Sequence, residues 1–366
     1  MTEPGPIYRG ALALWLMTIA VGSTSPTRGA EPSSAAPPIV EVESVERAFH
    51  NGEHNAFTDL CRFKDRYYLA FRSCPDGHMV HPTSSILVLA SDDAHTWRQV
   101  HRFSVPKRDV RDPHFLIFRD KLFVYTGTWF CGDSSPKTRD LNQHLGFACW
   151  SDDGAAWHGP TMLEGTYGHY VWRAAALGDR AYLCGRRKHH FAESDEPEPQ
   201  TVESAMLESD DGLVWRTRAF FQETRGDETA FVFERDGAIT AVARGGGRTN
   251  AELCRSRPPY EDWQRVDLGR QIGGPLLVRW GEHWLVGGRK SIGEARAALY
   301  WLVGDKLQEI AELPSGGDCS YPGFVELADG KQAGTRALVS YYSSHEKDDA
   351  GQPITAIYLA RVKIAG

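Results

Sequence analysis

Three stretches decide the fold: Ser91-Asp-Asp-Ala-His-Thr-Trp97, Ser151-Asp-Asp-Gly-Ala-Ala-Trp157 and Ser209-Asp-Asp-Gly-Leu-Val-Trp215. Each carries Ser first, Asp third, a small residue fourth and Trp seventh. Their starts lie 60 and 58 residues apart, a regularity that marks an internal repeat. Each follows a strand-like run: Ile86–Ala90, Leu145–Trp150 and Ala205–Glu208. The residue types suit a tight hairpin turn. The Asp can accept from backbone N–H groups, Gly permits positive φ, and the Trp can pack back over the turn.

A second periodicity surrounds the first. Each unit opens with an apolar strand, a turn and another apolar strand, as in Phe57–Phe63/Arg66–Phe71, Phe115–Phe118/Lys121–Thr126 and Val171–Leu177/Ala181–Cys184. The series continues without the Ser-Asp pattern as Ala230–Phe233/Ile239–Ala243, Pro275–Trp280/His283–Val286 and Gly323–Leu327/Ala337–Tyr342. Six units of about four short strands at this period predict an all-β, six-bladed propeller with four-stranded antiparallel blades. The last unit has only three obvious strands, ending with Ile354–Lys363, and the strand Ile39–Val45 has no partner. The expected closure places that N-terminal strand outermost in the last blade, where it hides a sheet edge.

The composition agrees. The 366 residues are 24% charged and 41% hydrophobic, as in ordinary folded proteins, with 36 Gly and 20 Pro to supply turns. A net charge of −7 argues against a nucleic-acid partner. At the N-terminus, Arg9 precedes the apolar run Ala11–Val21 and the small-residue exit Gly22–Pro26, which reads as a secretory signal peptide. The expected organisation is therefore a signal and processing region at 1–30, a Ser/Ala/Pro linker at 31–38 and the propeller at 39–366. This implies a secreted or periplasmic protein with no membrane span after signal removal. The seven cysteines show no metal-ligand spacing. Cys61/Cys74 and Cys131/Cys149 could each bridge within a hairpin, or all could be small buried residues of strands. Lys188-His-His190, next to the acidic stretch Glu193–Pro199, reads as a solvated insertion rather than a metal site.

In a propeller blade the start of the innermost strand and the end of the second share one rim. The strand starts place Asn55 and Asp59, Arg111 and Asp112, Trp172 and Arg173, Asp227 and Glu228, Gly274 and Tyr321 there. The second strands end in Arg72, Arg186, Arg244 and Arg289, with His345 in the last blade. Arg in four of six such places, with no Lys, points to planar capture of a carboxylate or sulfate. The alternative is internal pairing with Asp59, Asp112 and Glu228.

At this point the chain resembles a family. The three repeats are similar to the Asp boxes of the sialidase (neuraminidase) superfamily of six-bladed propellers, and the likeness spans the chain after the signal. In that family a Glu opens the fourth blade with an Arg about 16 residues on, matched by Glu228 and Arg244. An Arg in the fifth blade and a Tyr opening the sixth are matched by Arg289 and Tyr321, and an Asp in an Asp-Pro context by Asp112-Pro113. Two features depart. Ala56 stands where the family has the first Arg of its carboxylate-gripping triad, leaving Arg72 or Arg111 to supply that guanidinium. The family's acid/base Asp belongs to the loop after the second strand of blade one. Here that loop offers Asp76, His78 and His81, of which Asp76 is the residue type the resemblance implies.

The resemblance implies a retaining exo-glycosidase similar to exo-α-sialidases. Its nucleophile would be Tyr321, activated by Glu228, with Asp76 as the acid. A neutral phenol suits a sugar with a carboxylate on its anomeric carbon, which would repel an anionic nucleophile. Substrate binding would fall to Arg244, Arg289, Arg72, Arg111, Asp112, Asp59, Arg173 and Trp172. The partner would be an acidic glycan or glycoconjugate, with no metal and no organic cofactor. Two other readings are a non-catalytic propeller that binds acidic glycans or a protein, and a propeller hydrolase of another acidic or sulfated sugar.

Overall fold

The computed structural model describes Met1 and residues 37–135, 139–192, 201–291, 293–327 and 334–365. The expected leader beyond Met1, residues 31–36 of the linker and the acidic stretch Glu193–Pro199 lie outside the described residues. Among those described, no helix is long and apolar enough to cross a membrane.

Among the described residues, twenty-four strands form six four-stranded antiparallel sheets. Blade one is β2 (His54–Phe63), β3 (Arg66–Cys74), β4 (Ser85–Ser91) and β5 (Arg98–Phe103); it follows β1 (Val40–Phe49). Blade two is β6 (Arg108–Phe118), β7 (Lys121–Phe130), β8 (Leu145–Ser151) and β9 (His158–Met162). Blade three is β10 (Tyr170–Leu177), β11 (Arg180–Lys188), β12 (Val202–Ser209) and β13 (Arg216–Gln222). Blade four is β14 (Thr229–Phe233), β15 (Ile239–Ala243), β16 (Glu252–Ser256) and β17 (Trp263–Asp267). Blade five is β18 (Gly273–Trp280), β19 (His283–Lys290), β20 (Arg296–Val303) and β21 (Lys306–Leu313). Blade six is β22 (Cys319–Glu326), β23 (Arg336–Lys347) and β24 (Pro353–Ile364), and β1 completes it in the order β1-β24-β23-β22. The closure read from the sequence is thus the one observed. The innermost strands β2, β6, β10, β14, β18 and β22 touch one another in cyclic order, which closes the ring.

Middle strands are covered on both faces by neighbouring blades. Hence β4 is buried along its whole length, whereas the outer strands β5 and β9 are mostly exposed or half-buried. The three Ser-Asp turns join the third and fourth strands of blades one to three. Asp93, Asp153 and Asp211 each accept from two backbone N–H groups at 2.7–2.9 Å. The fourth residue takes positive φ in all three: Ala94 at 58°, Gly154 at 75° and Gly212 at 83°. All seven thiols are free, and six are buried. The cysteines are therefore small packing residues and no hairpin bridge forms.

One irregularity recurs and positions the site. In five blades the innermost strand carries a β-bulge near its start, where two residues oppose one on the second strand. The bulged pairs are Phe57-Thr58, Asp112-Pro113, Trp172-Arg173, Gly274-Pro275 and Tyr321-Pro322. Phe57, Asp112 and Tyr321 take φ of 60°, 53° and 54° there, each a departure that costs about 1–3 kcal/mol. Such strain persists because inter-blade packing over-determines the backbone. Its effect is to turn these side chains toward one rim of the channel.

Candidate active site

At that rim the strand ends bring Tyr321, Glu228 and Arg244 together. Tyr321 Oη donates to Glu228 Oε1 at 2.8 Å. Arg244 Nη1 donates to Glu228 Oε2 at 2.7 Å and to Tyr321 Oη at 3.3 Å. The backbone N–H of Gly274 donates to the same Oε2 at 3.1 Å. Tyr321 and Glu228 are buried, 7% and 5% exposed. Burial first, and the Glu228 charge second, push the phenol well above its ordinary value, against the pull of Arg244. The phenol is therefore neutral at rest, with its proton in a direct hydrogen bond to Glu228.

Arg289 lies over the Tyr321 ring, 6.0 Å from its centre. Among the described residues its guanidinium makes no hydrogen bond, which leaves its donors for a ligand. Gly274 holds the other side of the tyrosine: a Cβ there would fall 2.6 Å from Tyr321 Cγ. Gly274→Ala is therefore expected to displace the ring and lower kcat about 10²-fold. Steady-state kinetics beside a melting curve separates this from unfolding.

Asp112 sits on the second bulge. Tyr170 Oη donates to its Oδ2, and among the described residues its buried Oδ1 has no partner. Burial first, then the Glu228 charge, push this carboxyl well above the carboxylate range. Its proton is thus held more tightly than on an ordinary carboxyl group. Next to it, Asp227 takes Arg186 at 2.6 Å, and Arg244 Nε lies 3.5 Å away.

The remaining expected binding residues are engaged inside the fold. Arg72 is fully buried and grips Asp109 with two bonds of 3.0 and 2.9 Å. Its other donors meet the carbonyls of Gly77 and Met79. Arg111 also binds Asp109, at 2.5 Å, and the carbonyls of His78 and Met79. Together they clamp the loop 77–79; Arg111 also lies over the Phe57 ring at 5.6 Å, with its Nη1 unbonded among the described residues. Arg173 bonds Asp59 at 3.0 Å and the carbonyls of Pro275 and Pro322, a strut between the bulges across the channel. Asp59 also accepts from the N–H of Phe115. Trp172, expected against a sugar face, is instead buried beneath Tyr321 and His114, with ring centres 5.4 and 4.3 Å away. Asp76 is exposed, accepts from Thr83 Oγ1 at 2.6 Å and makes no hydrogen bond to the tyrosine cluster. Lys188, expected in solvent, is buried and paired with Asp140 at 3.1 Å.

The same strut predicts a pH dependence. Burial, with Arg173 adding to it, pushes His114 down to about 4. An unfolded His titrates near 6.5, so the unfolded chain binds the extra proton between those values. Stability is full above about pH 6.5 and falls by about 3 kcal/mol from this group alone as pH drops to about 4. His169, also lowered to about 4 chiefly by burial, adds with the same sign. Urea midpoints from pH 7 to 4.5 should fall, and His114→Gln should flatten the slope.

Sequence reasoning missed Phe57, His54, Asp318 and Tyr342. Phe57 meets Tyr321, Tyr342 and His78 with ring centres 5.0, 5.3 and 5.8 Å apart. Asp318 accepts from Tyr342 Oη at 2.8 Å and from both His54 and His78. One signal could have found the bulges: Pro follows Asp112, Gly274 and Tyr321 alike.

No family model matches the sequence and no curated protein matches it. Solved structures do. A Trypanosoma rangeli sialidase in complex with the inhibitor DANA superposes with a TM-score of 0.63 at 12% identity, over 87% of this chain and 58% of that one. A phage phi92 endosialidase gives 0.62 at 10% identity, over 88% and 69%. The Hadza microbial sialidase Hz136 gives 0.62 at 12% identity, over 85% and 66%. This chain thus spans less than three-fifths of the length of the T. rangeli enzyme. At such identities the likeness is one of architecture: the chain has the six-bladed propeller fold of the sialidases.

Proposed function

We propose that the protein is a retaining exo-glycosidase that removes a terminal acidic sugar from a glycan. The observation that carries this is the hydrogen-bonded set Tyr321–Glu228–Arg244, with Arg289 unengaged beside it. A buried phenol bonded to a carboxylate is an activated nucleophile without charge of its own, suited to an anomeric centre that bears a carboxylate. Arg244 and Arg289 would hold that carboxylate, and Asp112 would bond a ring substituent. The same reading takes the N-terminal region as an export signal that is removed.

One observation favours an acidic sugar other than sialic acid. Where a third guanidinium would complete the grip stand Ala56 and the apolar Phe57, while Arg72 is held by Asp109 and Arg111 is bonded to it through Nε and Nη2. The test is a panel of 4-methylumbelliferyl glycosides of sialic acid, its deaminated analogue and uronic acids, with the purified protein. Release from one of them, abolished in Tyr321→Phe, supports the reading. Binding of acidic glycans without release from any would replace it with a lectin-like role.

A further inference from the structure

Glycoside cleavage needs an acid for the departing oxygen, and Asp76 is exposed and bonded to Thr83 rather than to the tyrosine cluster. We propose that His78 is the general acid/base, with Asp318 as its positioning residue; this rests on the glycosidase reading above. His78 Nδ1 lies 2.7 Å from Asp318 Oδ2. Among the described residues its Nε2 makes no hydrogen bond, and the side chain is 46% exposed. The ring packs against Phe57, whose ring packs in turn on Tyr321. The backbone that carries it is pinned by Arg72 and Arg111, so the imidazole is held on a rigid segment.

His54, His78 and Asp318 could be taken for a metal site, since their ligand atoms all lie within 4.8 Å. The environment of His54 argues otherwise. A metal-bound His donates its other N–H to an acceptor, whereas Arg72 Nη1 faces His54 Nδ1 at 3.5 Å and is itself a donor. His54 Nδ1 therefore accepts and its Nε2–H donates to Asp318 at 2.9 Å. Asp318, held also by Tyr342, is left facing His78 Nδ1. This is the arrangement by which a carboxylate orients a catalytic imidazole.

The steps balance as follows. Tyr321 Oη bonds to the anomeric carbon as the glycosidic C–O bond breaks. The phenolic proton passes to Glu228 Oε1, and the Nε2 proton of His78 passes to the departing oxygen. Water then adds to the anomeric carbon and gives its proton to the neutral Nε2. The bond to Tyr321 breaks and Glu228 returns the phenolic proton.

The test compares 4-methylumbelliferyl and methyl glycosides of the acidic sugar that the wild-type protein hydrolyses. The first leaving group needs little protonation and the second needs much. His78→Gln is expected to lose about 10²–10⁴-fold in kcat/KM on the methyl glycoside and under about tenfold on the other. Azide, a nucleophile that needs no base, should restore turnover of the fluorogenic substrate. Asp318→Asn should show the same asymmetry in weaker form and shift the alkaline limb of the pH profile. Equal losses on both substrates, or the asymmetry appearing in Asp76→Asn instead, would overturn the assignment and leave the hydrolase reading intact. A folded wild-type protein that hydrolyses none of the acidic glycosides would overturn both.

Discussion

Replacing Tyr321 with Phe is expected to lower kcat by at least about 10³-fold, with the melting temperature within a few degrees of wild type. The hydroxyl is the atom that would bond to the sugar. Its removal leaves Glu228 Oε2 held by Arg244 and the Gly274 N–H, and Oε1 alone gives up its bond, so the fold loses little. Glu228→Gln should cost about 10²–10⁴-fold, because the phenol then lacks its proton acceptor. The two act as a unit, so the double variant should be hardly worse than Tyr321→Phe alone. A Tyr321→Phe protein that kept a tenth of wild-type kcat would exclude the tyrosine as nucleophile.

The largest effect on stability is expected at Asp109, whose side chain is fully buried between Arg72 and Arg111. Burial pushes its carboxyl up, but the two guanidiniums outweigh burial and hold it below the ordinary value. Asp109→Ala would leave two buried cations without their shared counter-ion and should cost about 3–5 kcal/mol. Pairing it with Arg72→Met should recover part of that loss, since it removes one of the two uncompensated charges. Urea denaturation of the single and double variants measures both. A loss under about 1 kcal/mol for Asp109→Ala would mean that water reaches this network.

The architecture was legible because repeats and strand alternation are local properties of sequence. The Ser-Asp turns needed only seven residues each, and the unpaired strand at the N-terminus forced the closure through the last blade. Tyr321, Glu228, Arg244 and Arg289 were legible because each sits at a strand end whose rim follows from blade topology. What stayed hidden was which arginines the fold keeps for itself. Arg72 and Asp109 are 37 residues apart and meet only because blades one and two pack face to face. Nothing near Arg72 in the sequence distinguishes it from Arg289. The loop 74–84 was hidden for the same reason. How Asp76 and His78 are placed depends on carbonyls gripped by arginines from two blades, not on a motif.

The pairing of β1 with β24 joins Val40 to Ile364. Contacts of that sequence separation are the most demanding in loop-closure entropy and form late. On the ribosome, blades one to five have all their strands before the seam can form, and β1 waits as an open edge until β24 emerges. The ring therefore locks in one terminal event, and the barrier to undoing it resists stepwise fraying from either end of the chain. A chain cut before residue 353 would lose more than one strand. It would leave β1 without a neighbour and β23 as a bare edge, which converts a closed surface into a template for self-association.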